Sequence, residues 1–304
     1  MPSWFSNWVT HNTCRVLRRL QRATGCDGGA VSAFLTLFPP GHFYSPIPAD
    51  DDFQQTAVNE PVRDIELNEE GQQRLLLDLS RYYEELPFQD SRQPELRYYF
   101  DQVWYCYADA IYLYSLIRQF APRRYFEIGS GFSSAVALDT SDLFLSGSMR
   151  CTFIDPYPER LQELLRAEDW TRCRLHPKRV QDFPSEMFDE LEANDILFVD
   201  SSHVSKVGSD VNHVLFNVLP RLKPGVLIHF HDILYPFVYP EAWFREGRAW
   251  NEVYLIRAFL QNNPDYKILL FGSYVAQRLQ PLLEQYMPLC LKNTGGALWL
   301  LKVR

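Results

Sequence analysis

The stretch Tyr125-Phe-Glu-Ile-Gly-Ser-Gly-Phe-Ser-Ser134 constrains the fold more than any other part of the chain. An apolar run leaves Pro122-Arg-Arg, meets Gly129 and Gly131, and passes into Ser-Ser-Ala-Val-Ala-Leu. This order predicts a buried strand, a tight turn and a helix. Glycines let the backbone bend sharply and let a ligand approach where a Cβ would collide. A helix from about Ser133 directs unpaired N–H groups at whatever lies over the turn. A second apolar run, Cys151-Thr-Phe-Ile, ends in Asp155. A carboxylate at the tip of the next strand is placed to hold a ribose diol. A plain strand–turn–helix junction would share the glycines, but the acid at this distance favours a nucleoside site.

From Tyr125 onward, apolar runs and helical periods alternate, which predicts an α/β fold with a parallel, doubly wound sheet. Helix is expected over 159–167, a short strand near Arg174-Leu-His, and a fully apolar strand Ile196-Leu-Phe-Val ending in Asp200. A helix over 210–222 stops at Lys223-Pro-Gly, and Val226-Leu-Ile-His-Phe-His leads to Asp232. Helix over 251–262, strand from Tyr266 to Phe271 and a last strand after Gly295-Gly complete the pattern. Upstream, Leu75, Leu76, Leu79, Tyr83 and Leu86 recur at helical spacing, and residues 98–120 read as one longer helix carrying nine aromatics. Aromatic stripes of this kind are core material, and this one could also roof a ligand site.

The formal charge of −8 implies no broad basic surface and argues against a nucleic-acid partner. Six scattered cysteines (14, 26, 106, 151, 173 and 290) without a C-x-x-C pair suit reduced thiols in a cytoplasm, and neither a zinc ribbon nor a disulfide frame. The longest uncharged stretch, residues 28–49, is broken by Pro39, Pro40, Pro46 and Pro48, so no transmembrane span is expected. At the N-terminus, Trp4, Phe5 and Trp8 precede a basic amphipathic segment over 15–22, which could dock on a core or touch a partner or a membrane surface. Residues 41–48, stiffened by proline and followed by Asp50-Asp51-Asp52, form either a strap across a pocket mouth or a surface linker.

Ligands of open α/β sheets sit beyond the carboxyl ends of the strands. Glu127, Asp155, Asp200 and Asp232 each lie in or at the end of a separate strand. His203, three residues past Asp200, can lean over the pocket, and an imidazole titrating near neutrality suits a general base. Asp210, seven residues further, would stand two turns away on a helix and orient that imidazole. Asp200 and Asp232, on neighbouring strand ends, form a hard-cation pair suited to Mg²⁺. His231 is a softer candidate for a third ligand, and His229 reads as a buried, hydrogen-bonded histidine. Tyr235, Tyr239, Glu241 and Trp243 lie in a proline-kinked insertion and are either acceptor contacts or a lid over the core.

Glu127-x-Gly129-x-Gly131 resembles motif I of the class I S-adenosylmethionine (SAM)-dependent methyltransferases. A dinucleotide fingerprint would have a third glycine where Ser134 stands and no acid at position 127. The segment Asp200-x-x-His203 with His231-Asp232 is similar to the metal-dependent O-methyltransferases of the catechol and macrolide-sugar kind, and the run 198–240 looks like the methyltransferase-24 type. The resemblance implies a Rossmann-like seven-stranded methyltransferase sheet over 95–304, its sixth and seventh strands antiparallel. Residues 1–94 are left as a mainly helical extension, a lid or interaction segment. It also implies SAM as cofactor, with Glu127 at its methionine end. Gly129, Ser130, Gly131, Ser133 and Ser134 would lie around the cofactor, Asp155 at its ribose, and Gln181 or Asp182 at its adenine. Asp200 would serve cofactor, metal and catalysis together. The implied reaction is O-methylation of a hydroxyl on a small molecule or glycan, with Mg²⁺ assisting. Ile233 stands where the catechol enzymes carry an amide ligand. A homo-oligomer is compatible with this reading. Two other classes share the pattern: a scaffold that kept the fold without the chemistry, and an NAD-type oxidoreductase.

Overall fold

The computed structural model describes residues 41–49, 52–53 and 62–304. The basic segment over 15–22, Trp4, Phe5, Trp8, Cys14, Cys26, Pro39, Pro40, Asp50 and Asp51 lie outside the described residues. The chain divides into two compact units, one of residues 1–60 with 240–249, the other of 61–239 with 250–304.

The larger unit is built on a seven-stranded sheet: β1 (Arg124–Ile128), β2 (Arg150–Ile154), β3 (Cys173–His176), β4 (Ile196–Val199), β5 (Leu227–Phe230), β6 (Tyr266–Phe271) and β7 (Leu298–Lys302). The order across the sheet is β3-β2-β1-β4-β5-β7-β6. The first five strands pair in parallel, and β7 enters between β5 and β6, antiparallel to both. Only β7 therefore runs against the sheet, and β6 has the direction of β5. β1, β2, β4 and β5 are buried almost throughout, as expected of parallel strands covered on both faces.

Helices α1 (Glu69–Ser80), α2 (Tyr107–Phe120) and α3 (Phe132–Phe144) share one core with Tyr125, Phe153, Phe198 and Trp299. Alternation along β1 sends Phe126 to the other face, where its ring meets Phe188 at 5.8 Å. Each large side chain fully buried this way contributes roughly 1.5–3 kcal/mol. Leu76 and Leu79 supply the inner face of α1, and Gln72 fixes that helix to the sheet by accepting from Phe271 N at 2.8 Å.

The helix expected from Tyr98 starts only at Tyr107. Side chains compete for the backbone ahead of it. Gln102 Oε1 accepts from Trp104 N and Tyr105 N, at 2.7 and 2.9 Å, and Tyr98 OH donates to Tyr105 O at 2.6 Å. Arg97 is buried below this loop, held by Asp139 (2.6 Å), Asp142 (2.9 Å) and Asp169 (2.6 Å).

After α4 (Glu159–Leu164), α5 (Asp210–His213) widens into a π-type turn over Val214–Val218 and tightens over Leu219–Arg221. In the smaller unit, α6 (Glu241–Arg245) carries an internal pair, Arg245 Nε on Glu241 at 2.8 Å. The larger unit resumes with α7 (Glu252–Leu260), α8 (Gly272–Arg278) and α9 (Gln280–Tyr286). No helix among the described residues is long and apolar enough to cross a membrane.

Candidate active site

The four acids are set in place by the sheet itself. The ladder continues one residue past each strand: Gly129 N donates to Ile154 O (3.0 Å), Asp155 N to His176 O (3.2 Å), Asp200 N to Ile128 O (2.9 Å) and His231 N to Val199 O (2.9 Å). At Gly129 the backbone turns with φ +79°, and a Cβ there would lie 2.0 Å from Asp200 O. Glycine is required by both facts.

Beside this turn lies a cavity of about 500 Å³, lined in part by Gly129, Asp155, Tyr157, Gln181, Asp200 and Ser202. Asp155 Oδ2 accepts from Ser130 N (2.9 Å) and Ser130 Oγ (2.7 Å), and Oδ1 from Tyr157 N (2.8 Å). A carboxylate has about four lone-pair positions, so acceptor capacity remains toward the cavity. Gln181 and Asp182 are separated clearly. Asp182 is exposed and paired with Arg179 at 2.8 Å, whereas Gln181 lines the cavity, donates to Gly208 O (2.7 Å) and leaves a buried Oε1 unpartnered.

Glu127 is fully buried, and its oxygens accept from the hydroxyls of Ser133 and Ser134. Ser134 Oγ also accepts from Gly131 N at 3.1 Å. The acid expected at a methionine end is thus turned inward, and both serines are engaged by it; together they brace the start of α3. Burial pushes the Glu127 carboxyl up to about 8, against the lowering effect of the two hydroxyls. A carboxyl raised from 4.5 to about 8 on folding stabilises the fold below pH 4.5, and this contribution is lost as pH rises to 8. Glu127→Gln, which cannot ionise, is expected to gain on the wild type by roughly 3–5 kcal/mol between pH 5 and pH 9 in urea melts. A difference that does not change with pH would contradict the burial of an ionising group here.

Past β4, the chain turns at His203 (φ +58°) and, past β5, at Asp232 (φ +54°). His203 Nε2 lies 3.4 Å from Asp200 Oδ1 and 3.8 Å from Asp232 Oδ2. Its other nitrogen, Nδ1, is 2.8 Å from Glu252 Oε2. Asp210 does not orient this ring. Its carboxylate accepts from Ser202 N (2.8 Å) and Ser202 Oγ (2.6 Å), because the residues between His203 and Asp210 are not helical and a seven-residue spacing has no angular meaning there. Burial disfavours a charged His203, yet Asp200 and Glu252 outweigh it and raise its pKa to about 10. The two carboxylates thus favour the charged ring over the neutral one. Desolvation would raise Asp200, but His231 and His203 hold it down at about 2.

His231 is buried with Nδ1 unpartnered, its Nε2 3.8 Å from Asp232 Oδ1. Among the described residues no three His, Cys, Asp or Glu side chains are grouped as around a metal ion. His229 is buried as expected but without the expected hydrogen bond. It stacks on Phe198 at 4.0 Å, with Trp299 at 4.6 Å, and burial keeps it neutral. Within the larger unit Tyr235 packs on Tyr274 at 4.9 Å and Tyr239 on Trp250 at 5.8 Å. Glu241 and Trp243 belong to the smaller unit.

Sequence reasoning missed Glu252 and Asp109. Asp109, on α2, accepts from Gly296 N at 3.1 Å; burial raises it to about 6, with His231 opposing. Tyr105 sets its ring 5.4 Å from His231. The available signals were Gly295-Gly296, a close approach of backbone to Asp109 and Asp232, and Trp250-Asn-Glu at a helix start.

A family model described as a methyltransferase domain matches residues 126–233. An uncharacterized protein of Archaeoglobus fulgidus is 31% identical over 169 residues, covering 52% of this chain and 75% of that protein. Among solved structures, the O-methyltransferase TomG of Streptomyces achromogenes, involved in tomaymycin synthesis and in complex with SAM, is 17% identical (84% of this chain, 96% of that one, TM-score 0.42). The S-adenosylhomocysteine (SAH)-bound methyltransferase PaMTH1 of Podospora anserina is 13% identical (86% and 99%, TM-score 0.42). The chain belongs to the class I SAM-dependent methyltransferases of the methyltransferase-24 type.

Proposed function

We propose that the enzyme methylates a hydroxyl of a small molecule or sugar, with His203 as general base and with Asp200 and Asp232 as the residues that would hold Mg²⁺. One observation carries this reading: Asp200 both lines the cavity and converges with Asp232 on His203 Nε2, at 3.4 and 3.8 Å. Cofactor, acceptor and base would meet at that point. The residues suit SAM: the unpartnered Gln181 Oε1 can accept from an adenine amino group, and Asp155 from ribose hydroxyls. They also suit Mg²⁺, since two carboxylates with water and acceptor oxygens are a common set for that ion.

When bound, SAM supplies an electrophilic methyl on a sulfonium, and Mg²⁺ would lower the pKa of a hydroxyl beside it. Asp155 and Gln181 orient the cofactor, Glu127 with Ser133 and Ser134 keeps the turn in shape, and Asp200 and Asp232 gather the acceptor. Asp200 and Asp232 would hold the cation; their charge would then be balanced without an imidazolium, and neutral His203 would accept the hydroxyl proton at Nε2.

Calorimetric titration with SAM and SAH, with and without Mg²⁺ and with NADH as control, tests the cofactor; SAH release over a panel of catechols, sugars and aliphatic alcohols tests the chemistry. We expect SAM binding that Asp155→Ala removes. His203→Ala should bind SAM as the wild type does and lose about 10²–10⁴-fold in turnover. Absence of SAM heat in both conditions would overturn the reading, and wild-type turnover in His203→Ala would remove the base.

A further inference from the structure

We infer that Glu252 is the positioning residue for His203: it fixes the imidazole with Nδ1 protonated and Nε2 facing the cleft between Asp200 and Asp232. This rests on the reading of His203 as base and adds the group that makes it one.

The geometry comes from the start of α7, which grips the backbone and the side chain of the same histidine. Asn251 N and Glu252 N both donate to His203 O, at 3.0 and 3.1 Å, and hold it in the left-handed conformation. Glu252, only 1% exposed, then places Oε2 2.8 Å from His203 Nδ1. A carboxylate oxygen accepts, so Nδ1 carries the proton and the exchangeable lone pair of the neutral ring is at Nε2. Ser201 completes the link, donating to Glu252 Oε1 at 3.2 Å and accepting from His203 N at 3.3 Å. The Trp250 ring lies 4.3 Å from the imidazole, tilted by 42°, and closes one side of it. Rotation of the ring would break the Glu252 bond and leave the buried Oε2 without its partner, which is costly. Asp210, bound to Ser202, has no part in this arrangement.

Glu252 could instead serve only as an acid at a helix N-terminus, a structural role of modest size. Nuclear magnetic resonance on the full chain with ¹⁵N-labelled histidine separates the two and needs no acceptor. A hydrogen-bonded Nδ1–H of His203, assigned by its loss in His203→Gln, is expected in the wild type, retained in Glu252→Asp and lost in Glu252→Ala. Turnover on the hydroxyl panel should fall about 10–100-fold in Glu252→Ala with SAM affinity unchanged, and partly recover with added formate. The double variant Glu252→Ala/His203→Ala should lose no more than His203→Ala alone. Glu252→Gln keeps the side-chain volume and serves if the alanine variant fails to fold; it should lose the downfield character of the Nδ1–H signal. Persistence of an unaltered signal in either variant, or wild-type turnover, overturns the inference. Failure of the base reading is distinguishable, because His203→Ala would then turn over while the Nδ1–H signal still depended on Glu252.

Discussion

Arg97→Met is expected to destabilise the fold by about 3–5 kcal/mol. The guanidinium is 3% exposed and is the shared counter-charge of Asp139 and Asp169, themselves 1% and 0% exposed. Nη1 meets Asp139 at 2.6 Å, and Nε and Nη2 meet Asp169 at 3.2 and 2.6 Å. Asp139 also accepts from the backbone N–H of Arg97 and Tyr98, at 2.8 and 2.9 Å, so one carboxylate fixes the start of the loop ahead of α2. Methionine keeps the packing of the side chain but leaves Asp139 buried without its cation and Asp169 with Arg172 alone, at 3.1 Å. Burial already raises Asp139, while Asp169 is held low against burial by Arg166 N and Arg97. With Arg97 gone, burial would raise the Asp139 carboxyl further, and at Asp169 it would be opposed only by Arg166 N and Arg172. A carboxyl raised in this way stabilises the fold at low pH and loses that contribution as pH rises through the folded pKa. The deficit of Arg97→Met in urea melts should therefore be smaller at pH 4 than at pH 7. Adding Asp139→Asn and Asp169→Asn should recover part of it at neutral pH. A deficit under 1 kcal/mol at pH 7, or one that grows on acidification, would mean that the cluster is not held together by this charge.

This cluster also shows where sequence reading stops. The strands were legible because parallel strands buried on both faces are uninterrupted apolar runs, as Ile196-Leu-Phe-Val is. Asp155 and Asp200 were legible because each directly follows such a run, and Glu127 and Asp232 because one stands inside a run and the other two residues past one. Arg97 and Asp169 are 72 residues apart, and nothing local marks either as a partner of the other. The start of α2 was misplaced because Tyr98, Tyr105 and Tyr112 mimic helical spacing, while the Gln102 side chain, which takes over the backbone N–H groups, leaves no periodic trace. Asp210 and Glu252 make the point within the site. The first had the right spacing from His203 for a helix that does not form there. The second lies 49 residues from its partner and reaches it through the fold alone.

Gly129→Ala is expected to reduce SAM affinity and turnover by about 10²-fold each, a loss of the size that a 1 Å misplacement of a site produces. The new Cβ would lie 2.0 Å from Asp200 O and 3.1 Å from its carbonyl carbon, both backbone atoms with no rotamer to adopt. Left-handed φ adds about 1–2 kcal/mol for any residue with a Cβ, and forced overpacking about 1–3 kcal/mol more. The chain can relieve the contact only by parting β1 from the end of β4, which stretches the Asp200 N to Ile128 O bond and carries the Asp200 carboxylate away from His203 and Asp232. Cofactor turn and acid pair are thus displaced together by one methyl group. Gly131→Ala is the matched control. Its backbone is extended, and the nearest atom to a Cβ is Cδ of the Arg160 side chain at 3.1 Å, which can shift. SAM calorimetry and SAH release on both variants should give a large loss for position 129 and a small one for position 131. Equal losses would mean that the turn tolerates no side chain anywhere, and the close approach of Gly129 to Asp200 would then not be what aligns the site.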